Sequence, residues 1–465
     1  MIQTKHYSPA EIETILSSGR NLFFIGIGGI SMSALALIAK EKGLSVSGSD
    51  RAESHITEKL VASGIDIHFG HKAENIKGSN VIIFTAAIKE DNPEVIAAKA
   101  ANLPFIYRAD FLNYIMCFSK KRIGVSGMHG KSTTSALISH TLLSAGLDPT
   151  ILIGAELSDI NGTYHIGNGD ICVFEADEYS DSFLSFSPTA AVVLNIDIDH
   201  VDYFHSLEQI KHSFTAFLKK TEPDGIVIAN YDCANVRSIL PSIHSRVISY
   251  GLKSEDAMYQ AKNIEYHHQT SAFDIYRDHR FIAHTYITLP GAHNVSDALG
   301  AFAAMDQMGV NTQAIIQGIQ TYQSAKRRME LKGYINGAPI FEDYAHHPSE
   351  IKATLKGIRN LTNGRILCAF QPHTYSRTAG LLDGFIDALS FADIPILADI
   401  YAARETNTYH ISSQDIAKKI KSAQYFDSFD KICDFIRKEA TKDDLVVVMG
   451  AGDIYKVSEM LTEQK

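Results

Sequence analysis

Short runs of β-branched and aromatic apolar residues alternate with longer stretches of helical periodicity from one end of the chain to the other. That alternation predicts βαβ units and largely parallel sheets. A first unit has strand-like runs at Leu22 to Ile25, Leu44 to Ser47 and Val81 to Phe84, with a helix over Met32 to Lys42, and closes near Lys120-Lys121. A second opens with Ile123-Gly124-Val125-Ser126-Gly127 and a helix over Lys131 to Ala145. It continues with strands at Cys172 to Glu175, Ala190 to Asn195, Gly225 to Asn230 and Val247 to Tyr250. Its rear part changes character, since Phe273 to Tyr276 and Phe281 to Thr288 read as antiparallel strands ahead of a helix that begins after Asn294. A third unit follows Lys326-Arg327-Arg328, with strands at Pro339 to Asp343, Arg365 to Phe370, Ile394 to Ala398 and Leu445 to Met449 and a closing helix from about Ile454. The pattern predicts three α/β domains, 1–118, 119–324 and 325–465, on short linkers. Ligands of such sheets sit at the carboxyl ends of strands and in the gaps between domains.

Composition narrows the function classes. Of 465 residues, 45% are apolar and 21% charged, the balance of a globular chain with a sizeable core. Forty-three Lys and Arg against 53 Asp and Glu leave a net charge of −10 with no basic run, which argues against nucleic acid as a partner. Cys117, Cys172, Cys233, Cys368 and Cys433 are scattered and odd in number, so a disulfide framework or structural zinc is not expected and a reducing cytoplasm is. Met1 to His6 carries no targeting signal, and no window approaches the roughly 18 apolar residues of a spanning helix, so no membrane insertion is expected.

The sharpest chemical feature is Gly127-Met128-His129-Gly130-Lys131-Ser132-Thr133-Thr134, between a predicted strand and a predicted helix. That placement offers backbone N–H groups and a helix N-terminus to a polyphosphate, a lysine to its terminal oxygens and a serine hydroxyl to Mg²⁺. It is not a strict Walker A match, because Gly124 stands one residue too far from Gly130. Gly26-Ile27-Gly28-Gly29-Ile30-Ser31 is a weaker signal, a dinucleotide-type turn with Ser31 in place of the third glycine and Asp50 lying 22 residues beyond Gly28. A nicotinamide cofactor competes there with a diphospho-nucleotide of another kind.

Two acidic strand ends complete the picture. Glu175-Ala176-Asp177-Glu178 and Asn195-Ile196-Asp197-Ile198-Asp199-His200 bring carboxylates and an imidazole toward the phosphate loop, suited to a metal shell around a transferred phosphoryl group, although such acids also cap helices or face solvent. In the third unit, Glu342-Asp343-Tyr344-Ala345-His346-His347-Pro348 follows a strand. Paired histidines without a third ligand are poor zinc evidence; substrate contact competes with a plain loop ahead of a helix started by Pro348. Arg327-Arg328 and Arg377 can stabilise phosphate charge or bind a carboxylate bidentately, against the default of surface arginines.

In this order and spacing, and with Asp91-Asn92-Pro93-Glu94, Gly291-Ala292-His293-Asn294 and Phe370-Gln371-Pro372-His373, the motifs make the whole chain resemble the ATP-dependent Mur ligases of peptidoglycan assembly. The resemblance implies a Rossmann-like UDP-binding first domain, a P-loop ATPase-like central domain with an extra antiparallel segment, and a Rossmann-like third domain. It implies ATP and Mg²⁺, with Mn²⁺ as an alternative, and UDP-N-acetylmuramate and L-alanine as substrates of a monomer or weak dimer. A substrate carboxylate would attack the γ-phosphate, and an amine would capture the acyl phosphate. Gly26, Gly28, Gly29, Ser31, Ser49, Asp50 and Arg108 would then hold the nucleotide sugar, and Ser132, Glu175 and His200 the metal. Gly127, His129, Gly130, Lys131, Ser132, Thr133, Asn294, Asp297 and Arg328 would hold ATP. Lys131, Glu175, His200, Arg328, Asp343 and His346 would carry the reaction, with Tyr344, His346 and Arg377 near the amino acid.

Four positions depart from the family's pattern. Asp297 stands where a second adenine-side asparagine is usual, and as a carboxylate it accepts but does not donate. Thr374 stands where some relatives carry arginine; Ser31 and Met128 are milder changes. Three alternatives remain open at this stage: a sister ligase that attaches a preformed peptide, a nicotinamide dehydrogenase, and a silent nucleotide-sugar sensor. Motifs divided among domains predict closure on substrate binding.

Overall fold

A computed structural model describes residues 5–85, 88–200, 203–267 and 269–463; Met1 to Thr4, part of the segment read above for a targeting signal, lie outside the described residues. The first sheet is parallel, ordered β3-β2-β1-β4-β5, from β1 (Asn21–Ile25), β2 (Ser45–Asp50), β3 (Asp66–Phe69), β4 (Val81–Phe84) and β5 (Phe105–Tyr107). Every residue of β4 is buried, as expected where helices cover both faces and a strand reads as one continuous apolar run. The second strand runs Ser45 to Asp50 rather than Leu44 to Ser47: its small polar residues carry no hydrophobic signal, and pairing with β1, Asn21 opposite Ser45 through Ile25 opposite Ser49, fixes it instead.

The central sheet has ten strands in the order β15-β14-β13-β12-β11-β10-β6-β9-β7-β8. They are β6 (Lys121–Ser126), β7 (Thr150–Leu157), β8 (Gly162–His165), β9 (Ile171–Glu175), β10 (Ala190–Val193), β11 (Ile226–Asn230), β12 (Arg246–Gly251), β13 (Tyr259–His267), β14 (Thr270–Arg277) and β15 (Arg280–Ile287). The middle is parallel and buried, whereas β13, β14 and β15 form an antiparallel meander in which Ser271, Phe273 and Ile275 face inward. The helix Ala292–Gln307 begins three residues ahead of its predicted start.

The third sheet, β16-β17-β21-β18-β19-β20, uses β16 (Glu330–Ile335), β17 (Ala338–Asp343), β18 (Ile366–Phe370), β19 (Ile394–Leu397), β20 (Gln424–Tyr425) and β21 (Leu445–Met449). It is parallel apart from β16, which pairs antiparallel with β17. The architecture is therefore three-domain α/β, each domain with its own sheet. No helix among the described residues is long and apolar enough to cross a membrane.

Candidate active site

The phosphate loop forms because β6 ends at Ser126 and the chain turns through two glycines with positive φ, Gly127 at 144° and Gly130 at 85°, before the helix Lys131–Ser144. Both values lie where side-chain-bearing residues are strained, so the turn requires glycine. Asn195, just beyond β10, clamps the loop from the neighbouring strand: His129 N–H donates to Asn195 Oδ1 at 2.9 Å and Asn195 Nδ2 donates to His129 O at 2.8 Å.

Lys131 Nζ donates to Gly127 O at 2.6 Å and to the two Glu178 oxygens at 2.8 and 3.0 Å. Glu178 is fully buried and also meets His200 Nε2 at 3.2 Å. Burial opposes both charges of the pair, yet Glu178 holds the Lys131 ammonium above its ordinary range and Lys131 holds the Glu178 carboxyl below its own. Ser132 Oγ donates to Glu175 Oε2 at 3.2 Å, and Glu175 Oε1 accepts from Gly154 N–H at 2.7 Å.

The expected metal set thus divides. Ser132 and Glu175 meet directly, whereas His200 pairs with Glu178; ligand atoms of Asp177, Glu178 and His200 lie within 4.8 Å of one another. Carboxylate and hydroxyl oxygens with one imidazole suit Mg²⁺ or Mn²⁺ better than a thiolate-seeking ion. Glu178 is the residue that sequence reasoning left without a role, and three positions after the strand-end acid Glu175 its only signal was position.

The third domain reaches this loop. Arg328 Nη2 donates to Ser132 Oγ at 3.0 Å, and its guanidinium lies 5.0 Å over the Tyr344 ring. Arg327 and Met329 flank it at φ 59° and 54°, left-handed values that turn the chain sharply on either side of the arginine. Asp343, at the end of β17, accepts from Met329 N–H at 2.9 Å and Ala345 N–H at 2.8 Å, so it braces the segment carrying Arg328. Burial pushes its carboxyl up to about 6.

His347 and Glu350 tie the third domain to the loop as well. His129 Nδ1 lies 3.3 Å from Glu350 Oε1, its Nε2 lies 3.8 Å from Asp197, an ion-pair rather than hydrogen-bond distance, and its ring stacks on His347 at 4.6 Å. Burial opposes protonation of His129, but the two carboxylates outweigh it and raise the imidazole to about 9. His347 is buried rather than partly exposed and bonds Ile198 O at 3.0 Å, while Ser349 Oγ donates to Asp197 at 2.7 Å. Pro348 does start a helix, Pro348–Ile358. Sequence reasoning missed Glu350, whose partner is 221 positions away in the chain.

Arg377 is buried and donates from Nε to Asp199 Oδ1 at 3.0 Å, with Nη1 3.3 Å from His373 Nδ1. Burial works against the Asp199 charge, but this guanidinium holds the carboxyl well below the usual carboxylate range. Burial pushes the His346 imidazole down to about 4, so it is neutral at pH 7. Tyr344 and His346 pack edge to face beside them.

Two cavities meet at the loop. A cleft of about 940 Å³ runs from Ser31 and Arg108 in the first domain past Lys131, Ser132, Glu175 and His200 to Tyr344, His346 and Arg377 in the third. Arg108 Nη1 donates to Ser31 Oγ at 2.8 Å at its first-domain end. A second cavity of about 410 Å³ is lined by His129, Gly130, Thr133, Asn294, Asp297 and Arg328, among others. Asn294 Nδ2 donates to Pro290 O at 2.7 Å. Asp297 is buried in this cavity wall, and burial pushes its carboxyl up to about 8 against the pull of Arg328 and His129.

Gly26, Gly28, Gly29, Ser49 and Asp50 are not among the residues lining either cavity. Asp50 Oδ2 accepts from Gly28 N–H at 2.7 Å and fixes the glycine turn, and Ser49 Oγ donates to buried Glu94 at 2.8 Å, a residue that also takes His71 and Asn75 and had no role assigned from sequence.

Family models agree in order with the three sheets. "Mur ligase family, catalytic domain" matches residues 21–120, "Mur ligase middle domain" 125–305 and "Mur ligase, glutamate ligase domain" 327–452. The UDP-N-acetylmuramate–L-alanine ligase of Acetivibrio thermocellus is 45% identical over 451 residues, covering 96% of both chains. The chain belongs to the Mur ligase family. This Mur ligase is also 43% identical to the Clostridium tetani protein of the same name, over 95% of this chain and 97% of the relative. Among solved structures, the UDP-N-acetylmuramate–alanine ligase of Thermotoga maritima superposes with a TM-score of 0.78 at 25% identity, covering 95% of this chain and 98% of that one. A murein peptide ligase from Psychrobacter arcticus shares the fold with a TM-score of 0.70 at 24% identity, covering 95% and 98%.

Proposed function

We propose that this Mur ligase joins L-alanine to the lactyl carboxylate of UDP-N-acetylmuramate at the expense of ATP. The observation that carries the reading is the meeting of Ser132, next to Lys131 in the central domain, with Arg328 of the third domain, in a cleft that Ser31 and Arg108 of the first domain also line. The relatives that share 43 to 45% of their residues with it over nearly the whole chain bear the name of that activity.

A carboxylate oxygen of the sugar attacks the γ-phosphorus and the bond to the β–γ bridging oxygen breaks, releasing ADP and leaving an acyl phosphate. The L-alanine nitrogen then attacks the acyl carbon, the carbon–oxygen bond to phosphate breaks, and the amine loses a proton as the amide forms. Such phosphoryl transfer depends on positioning and charge stabilisation. Lys131 and Arg328 draw off charge at the transferred group, the loop N–H groups cradle the phosphates, and Asp343 steadies the Arg328 segment. Ser132, Glu175 and His200, with Glu178, would hold Mg²⁺ or Mn²⁺, which supplies further neutralisation of phosphate charge. Neutral His346, with Tyr344 and Arg377, lines the amine end, where an unprotonated imidazole can accept a proton. Gly26, Gly28, Gly29, Ser49 and Asp50 shape the first-domain turn that receives the uridine diphosphate.

Domain limits of 1–118, 119–324 and 325–465 place the breaks after the helix Arg108–Met116 and between the helix Thr312–Thr321 and β16. The reading carries with it a cytoplasmic monomer or weak dimer, in keeping with five free cysteines.

The test is phosphate release with ATP, Mg²⁺ and UDP-N-acetylmuramate, with L-alanine, other amino acids or a muramyl-type peptide in separate reactions. Release that depends on both sugar and L-alanine, with the amide product seen by mass, supports the assignment. Release with the peptide alone moves the protein to the sister activity.

A further inference from the structure

The second cavity contains a group that the reaction above does not use. Asp297 is only 8% exposed, lines the cavity, and accepts no hydrogen bond from any described residue. Its carboxyl lies against the phosphate loop: a Cβ built on Gly130 would stand 2.9 Å from both of its oxygens. Gly130 is also the residue that caps the helix Lys131–Ser144, so an ionised Asp297 would set a fixed negative charge beside backbone groups that receive a polyphosphate.

The rest of the cavity suits a flat heterocycle, with Ile196, Leu289, Met329 and Ala353 supplying apolar walls. Adenine presents an amino donor beside a ring-nitrogen acceptor. A carboxylic acid matches that edge with its carbonyl oxygen accepting and its hydroxyl donating, whereas a carboxylate can only accept.

We propose that Asp297 binds the adenine base of ATP as the un-ionised acid, so that nucleotide affinity in this protein is governed by one buried proton. This deepens the ATP-site reading and rests on it.

The groups around Asp297 decide whether the proton stays. Arg328 and His129 favour ionisation, each approaching from a different domain. Asp343 and Glu350 line the same cavity and oppose it, while Tyr250 and Tyr322 face Asp297 with phenols that are themselves pushed upward by burial. Desolvation outweighs the two cations, which agrees with the missing hydrogen-bond donors.

The experiment is calorimetric titration of the full-length protein with ATP and Mg²⁺ from pH 7 to 9.5, above the range where the nucleotide itself titrates, for the parent and Asp297→Asn. The parent should lose affinity on the order of tenfold or more as the competent acid form is depleted, while Asp297→Asn stays nearly flat. A second readout covers the event that the variant folds poorly: binding to the parent at pH 8.5, in buffers of different ionisation enthalpy, should take up most of one proton. Parallel pH profiles in the two proteins, or no proton uptake by the parent, overturn the proposal and leave the ATP site standing. Absence of ATP binding at every pH overturns both.

Discussion

Arg328 of the third domain donates to Ser132 of the central domain at 3.0 Å, across 196 positions of sequence. The contact places a guanidinium at the hydroxyl that opens the phosphate-loop helix, so the site is complete only where the third domain is packed against the central one.

Arg328→Ala should lower phosphate release by roughly 10²–10³-fold, the usual cost of losing one preorganised charge-stabilising donor. Binding of UDP-N-acetylmuramate, measured by calorimetry, should stay within about twofold because Arg328 meets Ser132 and Tyr344 rather than Ser31 or Arg108. Unaltered turnover would remove Arg328 from the reaction.

Glu178→Gln should be costly to the fold as well as to turnover. Glu178 is fully buried and is the counter-charge of both Lys131 and His200. Removing one member of a buried charge pair destabilises by about 3–5 kcal/mol, visible as a clearly lower unfolding midpoint in denaturant. A midpoint equal to the parent's would show that Lys131 finds another partner.

His129 makes stability depend on pH. Its folded value of about 9 stands above the ordinary 6.5, so protonation favours the folded state. The contribution is complete below about pH 6.5 and is lost as pH rises through about 9, on the order of 1.4 kcal/mol per unit of difference. Asp297, with a folded value of about 8, loses stability in the same direction over an overlapping range. In an Asp297→Asn background the thermal midpoint should still fall between pH 7 and 9, and adding Glu350→Gln should flatten that fall. An unchanged slope in the double variant would count against the His129–Glu350 pair as its source.

Arg377→Lys keeps the charge but loses the planar fork that meets Asp199 while lying beside His373. Expected is a KM for L-alanine raised by about tenfold with the KM for ATP little changed. Equal effects on both would place Arg377 in general domain packing rather than at the amine end.

Much of this protein was legible in its sequence. Continuous apolar runs such as Val81 to Phe84 and Leu445 to Met449 had to become buried parallel strands, because only burial on both faces tolerates such runs. The loop from Gly127 to Lys131 was readable because its glycines answer to local backbone geometry. Strands with weak patterns escaped: β3 is half exposed at a sheet edge, and β13 buries only its first three residues before a bulge, so pairing rather than periodicity makes them strands.

Which side chains meet was decided by tertiary structure. Sequence placed Ser132, Glu175 and His200 in one set; packing kept Ser132 with Glu175 and added Arg328 to it, but gave His200 and Lys131 to Glu178. Sequence also read Asp297 as a carboxylate that accepts but does not donate, whereas burial against Gly130 pushes that carboxyl upward in spite of the cations brought in from Arg328 and His129. Local rules fix backbone elements over a few residues; charge states and catalytic partners depend on distances between residues that the chain itself keeps far apart.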